Sequence, residues 1–205
     1  MTYYPINLDL RGKKCLVVGG GDVAVRKVNS LLECGAEVTI VSPEITDDLL
    51  KQDGNIALIS RRFLPEDLDG VFLVIAATDD RQVNAQVSQI AQDRGILINV
   101  VDDPVLCNFI VPATIRRGEL QISISTGGAS PALAKKIRQD LEKLYIPEYE
   151  AFVELLSKTR ETVKAKYSDQ SQREAAFKRL MDSDILDLIA AGQVEKAKKR
   201  AQECI

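Results

Sequence analysis

The stretch Cys15-Leu16-Val17-Val18-Gly19-Gly20-Gly21-Asp22-Val23-Ala24 decides the fold of this 205-residue chain. A short apolar run leads directly into three glycines, and a helical pattern follows. The apolar residues that recur at helical spacing are Ala24, Val28, Leu31 and Leu32. Residues 37–41 are rich in β-branched side chains and predict a second strand. A strand, a glycine turn, a helix and a strand in succession predict a parallel βαβ unit.

The alternation of strands and helices continues beyond this unit. Residues 56–59 predict a third strand, and residues 71–76 form a continuous apolar run, typical of a parallel strand buried on both faces. A helical stretch separates this run from a fifth predicted strand at 96–101. We therefore predict an α/β fold, a Rossmann-type doubly wound parallel sheet, in residues 1–113.

A second pattern follows the predicted sheet. Residues 109–111 and 120–125 predict two strands, with residues 116–119 as the turn between them. Ser130-Pro131 then suits the N-cap and first position of a helix. We predict a small β segment with its helix at 114–146.

The remainder of the chain is predicted to be helical. Short amphipathic patterns follow one another in residues 147–205, with a polar break at 168–172. The helix before them has an apolar stripe formed by Leu133, Ile137, Leu141 and Leu144. We predict a C-terminal helical domain at 147–205.

Composition excludes several classes of protein. A net charge of -3, 5% aromatic residues and no tryptophan argue against a nucleic-acid-binding protein. The sequence has neither a secretory signal pattern nor an apolar stretch long enough to cross a membrane, and its four cysteines are scattered. We expect a cytoplasmic protein with reduced thiols and no membrane contact. Because histidine is absent, we expect no resident metal, and acid–base chemistry must use other groups.

The glycine motif predicts a dinucleotide site. Gly19-x-Gly21-x-x-Ala24 has the spacing in which the first glycine makes a tight turn, the second admits a pyrophosphate and the third small residue lets helix and strand pack closely. The following helix start offers free N–H groups to phosphates. The predicted cofactor contacts here are Gly19, Gly21, Asp22, Val23 and Ala24. A glycine turn in an unliganded α/β fold is the alternative.

Further candidates lie where the other strands end, because ligands of open α/β sheets bind at the carboxyl ends of the strands. The predicted cofactor contacts there are Ser42, Pro43, Glu44, Ala77 and Thr78. Glu44 stands two residues beyond the position expected for a ribose-binding acid, so the choice between NAD and NADP stays open. Thr78 has a competing role at a helix entry. Asp102 is either a functional carboxylate or an ordinary turn residue in Asp102-Asp103-Pro104.

The loop Ser125-Thr126-Gly127-Gly128-Ala129-Ser130-Pro131 is small and flexible, and it leads into a helix. Residues 114–145 hold six Lys or Arg against three Asp or Glu. Such a loop predicts either an anion site, which suits a polycarboxylate, or an ordinary helix cap among solvated charges.

Six groups of residues together resemble the precorrin-2 dehydrogenase/sirohydrochlorin ferrochelatase family, the N-terminal module of sirohaem synthases. They are Tyr4-Pro5-Ile6, residues 17–24 with Arg26-Lys27, residues 76–80, Asn99-Val100-Val101-Asp102, residues 108–112 and residues 125–131. They occur in the family's order and span most of the first 145 residues. Together they are far more specific than the glycine motif alone.

The resemblance implies an enzyme that oxidises precorrin-2, a reduced tetrapyrrole bearing eight carboxylates, to sirohydrochlorin with NAD in sirohaem biosynthesis. It implies a homodimer in which the middle strands, in the 114–146 segment, and the C-terminal helices form the dimer and the substrate cleft. It makes Asp102 the catalytic carboxylate and proton acceptor, and leaves the role of Asp103 open. The implied substrate-binding residues are Asn108, Ser125, Thr126, Gly127, Gly128 and Lys135. Many relatives also insert ferrous iron, and whether this chain does so stays open.

Two alternative functions are weighed against this one. A regulatory module that senses NAD without turnover would need the glycine turn but not Asp102. A generic small-molecule dehydrogenase would normally carry a Tyr-x-x-x-Lys pair or a catalytic histidine. Here Tyr145 is followed four residues later by Tyr149, and histidine is absent.

Overall fold

A computed structural model describes residues 3–205 and divides them into two compact units, one ending at Val111 and the other spanning Pro112–Ile205. The strands are β1 (Lys14–Val18), β2 (Glu37–Val41), β3 (Ile56–Ile59), β4 (Leu73–Ala76), β5 (Leu97–Val100), β6 (Ala113–Arg117) and β7 (Leu120–Ile124). The α-helices are α1 (Asp22–Leu32), α2 (Asp47–Leu50), α3 (Arg81–Asp93), α4 (Pro131–Leu144), α5 (Tyr149–Lys166), α6 (Gln170–Met181), α7 (Ile185–Ala190) and α8 (Val194–Glu203).

The first unit is built on a parallel sheet with strand order β3-β2-β1-β4-β5. The chain first moves outward from β1 to β3 and then returns to the other side of β1. The direction therefore reverses between β1 and β4, where an open α/β sheet forms its ligand crevice. The predicted doubly wound sheet is confirmed.

Alternate residues of each strand pack on opposite faces of the sheet. Cys15 and Val17 join the core beneath α1, whereas Leu16 and Val18 join the core beneath α3. Because helices cover both faces, β4 is apolar throughout and β1 is apolar from Cys15 to Val18, as expected of a buried parallel sheet. The α1 stripe of Ala24, Val28 and Leu31 is buried, as its spacing predicts.

The prediction of a strand at residues 109–111 is wrong. After β5 the chain forms a short 3-10 turn at Pro104–Leu106 and returns without strand geometry until Ala113. Pro112 has no N–H to donate to a strand ladder, and the backbone before a proline is restricted, so β6 begins just after it.

The β6–β7 hairpin has a tighter turn than predicted. Arg116 and Arg117 belong to β6, and Arg117 pairs with Leu120 across a two-residue turn. Gly118 has a φ of 55° in that turn, a left-handed conformation that glycine adopts without steric cost. The turn is therefore at 118–119, not 116–119.

The helices of the second unit largely follow the predicted pattern. Ser130 caps α4 by accepting a hydrogen bond from the N–H of Leu133 at 3.3 Å, with Pro131 at the first position. The polar break is shorter than predicted, because Asp169 caps α6 through the N–H of Gln172. Leu133 and Leu144, predicted to lie on an apolar stripe, are 50% and 67% exposed in this single chain.

Among residues 3–205, no helix is long and apolar enough to cross a membrane.

We predict that Ile98→Ala destabilises the first unit by about 2–5 kcal/mol, because Ile98 is fully buried in β5 and its truncation leaves a cavity. Val105→Ala is the control: Val105 is 89% exposed, so its truncation should change the free energy of unfolding by less than about 0.5 kcal/mol. Urea unfolding followed by circular dichroism measures both. Equal effects of the two substitutions would contradict the assigned packing of β5.

Candidate functional site

Two glycines bring the end of β1 close to its neighbouring loops. A Cβ on Gly19 would lie 2.3 Å from the carbonyl oxygen of Ala77, which follows β4. A Cβ on Gly20 would lie 2.1 Å from the carbonyl oxygen of Glu44, which follows β2. Gly19 also has a φ of 122°, which favours glycine. The importance of Gly20 was not predicted, because the dinucleotide spacing leaves that position free.

Gly21 differs from the other two glycines because its surroundings are open. A Cβ there would meet no atom within 4 Å. Gly21 is the N-cap of α1, and no side chain caps this helix. By contrast, the Asp80 carboxylate caps α3 by accepting from the N–H groups of Gln82 and Val83. The start of α1 therefore offers uncapped N–H groups beside open space, as a phosphate site requires.

Residues 42–44 form a closed turn after β2. Ser42 is buried, and its hydroxyl donates to the carbonyl oxygen of Glu44 at 2.6 Å. Pro43 and Glu44 are exposed. The Ser42 hydroxyl thus stabilises the turn that packs on Gly20, and the turn presents the Glu44 side chain to solvent.

Thr78 is held at the entry to α3, the competing role considered above. Its hydroxyl donates to Oδ1 of Asn84 at 2.8 Å and accepts from the N–H of Asp80 at 3.2 Å. The Asn84 amide also donates to the carbonyl oxygen of Thr78 at 2.8 Å. Asn84, which is buried, was missed because a polar residue within a helix carries no local signal. Ala77 and Thr78 therefore form a fixed wall beside Gly19.

Asp102 lies just beyond the carboxyl end of β5 with a φ of 59°. It is the only non-glycine residue with a positive φ among residues 3–205. Aspartate tolerates this left-handed conformation better than most residues, yet such geometry is uncommon and clusters at functional sites. Asp102 is exposed, and within the described chain its carboxylate has no hydrogen-bond partner. Asp102 therefore lies in a turn, as one alternative held, and its carboxylate remains available.

A cation lies near this carboxylate. Lys27, on α1, is half-buried, and burial is the main cause that lowers the pKa of its ammonium group, followed by repulsion from Arg26. The negative charge of Asp102 opposes that shift in pKa. Lys27 therefore contributes positive charge at the end of β5 where Asp102 lies.

Asp103 differs from its neighbour. Its carboxylate pairs with Arg81 at 3.4 Å, and the Arg81 side chain is 90% exposed. Such a surface pair stabilises a protein little, but it gives Asp103 a partner that Asp102 lacks. The structure therefore distinguishes the carboxylate of Asp103, whose role the sequence left open, from that of Asp102.

Asn108, a predicted substrate contact, binds the backbone at the edge of the sheet. Its amide donates to the carbonyl oxygen of Ile96 at 2.9 Å and accepts from the N–H of Ile98 at 2.8 Å. These bonds lie at the beginning of β5, whereas Asp102 follows its carboxyl end. Because both ends of the amide are bound to backbone, Asn108 stabilises the sheet edge, and its contact with substrate stays a prediction.

The predicted substrate loop belongs to the second unit. The Ser125 hydroxyl accepts from the N–H of Gly127 at 3.0 Å, and the Thr126 hydroxyl accepts from the N–H of Ser130 at 3.0 Å. Gly127 and Gly128 both have positive φ and are exposed, as is Lys135. The hydroxyls therefore order the loop itself, and its assignment to substrate stays a prediction.

Models of known families match the chain in three successive parts. Residues 6–113 match a family described as putative NAD(P)-binding. Residues 117–144 match the sirohaem biosynthesis protein central region, and residues 148–205 match the sirohaem synthase dimerisation region. The predicted domain boundaries themselves stay a prediction.

Curated relatives and a solved structure give the same result. The siroheme synthase of Photorhabdus laumondii is 41% identical over 205 residues, covering 99% of this chain and 44% of the relative. That of Methylobacillus flagellatus is 42% identical over 207 residues, covering 100% of this chain and 44% of the relative. The chain thus spans less than half the length of these relatives.

The solved structure of the precorrin-2 dehydrogenase SirC matches with a TM-score of 0.79 and 27% identity, covering 98% of this chain and 100% of that one. The fold predicted from the sequence is therefore confirmed. The chain belongs to the family described as putative NAD(P)-binding, and it is similar to sirohaem synthases and to a precorrin-2 dehydrogenase.

Proposed function

We propose that this chain oxidises precorrin-2 to sirohydrochlorin with NAD as hydride acceptor, a step of sirohaem biosynthesis. One observation carries the proposal: the uncapped start of α1 and the left-handed Asp102 lie at the same carboxyl edge of one parallel sheet. The likeness to a precorrin-2 dehydrogenase across the whole chain names the substrate. The cytoplasm, where reduced thiols persist, is the proposed location.

The residues around the glycine turn fit a dinucleotide. The first N–H groups of α1, from Asp22 to Ala24, suit a pyrophosphate, and Gly21 leaves space for it. Gly19 and the wall of Ala77 and Thr78 lie at the switch point between β1 and β4. When bound, NAD supplies a nicotinamide ring that accepts a hydride.

Asp102 is the proposed proton acceptor. Dehydrogenation of the tetrapyrrole removes a proton as well as a hydride, and a base must receive that proton. The available carboxylate of Asp102 accepts that proton. The ammonium group of Lys27 contributes positive charge near this carboxylate. Loss of the proton is favoured because the product gains conjugation.

The carboxylates of the substrate require positive or N–H partners. The proposed partners are the exposed glycines of the 125–128 loop and the ammonium group of Lys135. Ser125 and Thr126 order that loop through their hydroxyls. The match to a dimerisation region supports a homodimer as the working form.

Iron insertion requires removal of two pyrrole protons, for which Asp102 is the candidate base. Ferrous iron would then be a substrate, and adding it after the oxidation tests this step. A sensor that binds NAD without turnover is the alternative function, and it would yield neither sirohydrochlorin nor NADH.

We predict that substitution of Gly20 lowers stability, whereas substitution of the neighbouring Gly21 weakens NAD binding. Gly20→Ala places a methyl group on the Glu44 carbonyl, so it should lower the free energy of unfolding by about 1–3 kcal/mol. Gly21→Ala meets no atom, so stability should change by less than about 1 kcal/mol. In Gly21→Ala the added methyl group should keep the pyrophosphate away from the N–H groups at the start of α1. Loss of one such hydrogen bond should weaken NAD binding by about tenfold or more.

Thermal unfolding and isothermal titration with NAD measure the two glycine variants. Unchanged NAD affinity in Gly21→Ala would show that the pyrophosphate does not bind at the start of α1.

We predict that Asp102→Asn abolishes oxidation while NAD binding is retained. Asparagine also tolerates the left-handed backbone, so the fold should be kept and only the base lost. The rate of sirohydrochlorin and NADH formation from enzymatically generated precorrin-2 should fall about 100-fold or more. The matched control is Asp103→Asn, which should stay within about threefold of the parent because Asp103 is paired with Arg81. Equal losses in both variants would refute the assignment of Asp102.

A further inference from the structure

After Asp102 the chain turns back along the outer edge of β5, where the Cys107 sulfur contacts the backbone. The N–H of Val100 donates to the Cys107 sulfur at 3.1 Å. The thiol lies 3.3 Å from the carbonyl oxygens of Val100 and Asp103, and its single proton can be donated to either of them. The side-chain amide of Asn99 also donates to the sulfur, at 3.6 Å.

These contacts take the place of hydrogen bonds that a further strand beside β5 would make. β5 is the last strand in the sheet order, so the outward N–H and C=O groups of Val100 have no strand to pair with. The sulfur accepts from the first group, and the second group lies within reach of the thiol proton and also accepts from the backbone N–H of Asp103 at 3.4 Å. It therefore ends the hydrogen-bonded part of β5 at the residue from which the Asp102 turn begins.

The groups that the thiol binds lie on both sides of Asp102. Val100 precedes it by two residues, and the carbonyl group of Asp103 follows it directly. Asp102 itself has the unusual φ of 59°, a conformation that persists only where the surroundings impose it. The Cys107 thiol is the side chain that joins the two ends of this turn.

We propose that Cys107 is a positioning residue, whose thiol clamps the Val100–Asp103 turn and so fixes the direction of the Asp102 carboxylate. The effect of Cys107 on catalysis rests on the proposed function, whereas its effect on the turn rests on the hydrogen bonds alone. The thiol acts as a hydrogen-bonding group and forms no covalent intermediate. Burial raises the pKa of the Cys107 thiol, which keeps the proton that it donates.

Neighbouring contacts hold Cys107 independently of its own sulfur. The hydroxyl of Ser88 on α3 donates to the carbonyl oxygen of Leu106 at 2.7 Å. The Asn108 amide binds the backbone of β5 on the other side. Because both flanking residues are tethered, removal of the sulfur should loosen the turn without releasing the whole segment.

The test compares Cys107→Ala, which removes the donor and acceptor, with Cys107→Ser, which keeps both in a shorter form. In the full chain, Cys107→Ala should lower kcat for precorrin-2 oxidation by about tenfold or more, since a misplacement near 1 Å can cost about 100-fold. The KM for NAD should stay within about twofold, because the glycine turn is untouched. Cys107→Ser should recover most of the lost kcat.

Cys34→Ala is the matched control. Cys34 is a half-buried cysteine of the same unit, in the turn that follows α1. It should leave kcat unchanged. If Cys107→Ala also keeps the parental kcat, or if Cys107→Ser is as impaired as Cys107→Ala, the positioning role is refuted.

Amide hydrogen exchange measured by NMR reports the stability of the Val100–Asp103 turn and needs no enzymatic activity. In the unsubstituted protein the N–H of Val100 should exchange slowly, and in Cys107→Ala that N–H and the N–H of Asp103 should exchange faster. Fast exchange of Val100 in the unsubstituted protein would overturn the clamp even if no variant folded. A protein that fails to oxidise precorrin-2 but shows slow exchange at Val100 would refute the proposed function and leave the clamp intact.

Discussion

Close approach of backbone to backbone at the end of β1 is the constraint on which the site depends. Gly19 lies against the Ala77 carbonyl and Gly20 against the Glu44 carbonyl, at distances that no side chain permits. These two contacts bring the loops after β2 and β4 together around the start of α1. The arrangement of these loops at the switch point therefore depends on residues that have no side chain.

Most of the first unit could be predicted because its signals are local. A parallel strand buried on both faces must be apolar throughout, and a helix that covers it must have an apolar stripe. The failure at residues 109–111 has a different origin. There the edge of β5 is closed by the side chains of Cys107 and Asn108, and such contacts produce no periodic pattern in the sequence.

The candidate site was only partly predictable for the same reason. Asp102 and the glycines were located because strand ends and glycine spacing are visible in the sequence. The left-handed backbone of Asp102, the charge of Lys27 beside it and the link from Asn84 to Thr78 depend on residues distant in the chain or on conformation. The ion pair of Asp103 with Arg81, which distinguishes its carboxylate from that of Asp102, also depends on a residue distant in the chain.

The closed edge of β5 has a consequence for self-association. An unpaired outer strand is a template on which another chain can add a strand, and proteins avoid this by covering or interrupting such edges. Here the residues that follow Asp102 occupy the backbone groups of Ile96, Ile98 and Val100 with side-chain atoms. The same short segment that holds the turn also limits the sheet to five strands and protects the apolar β5 from edge-to-edge aggregation.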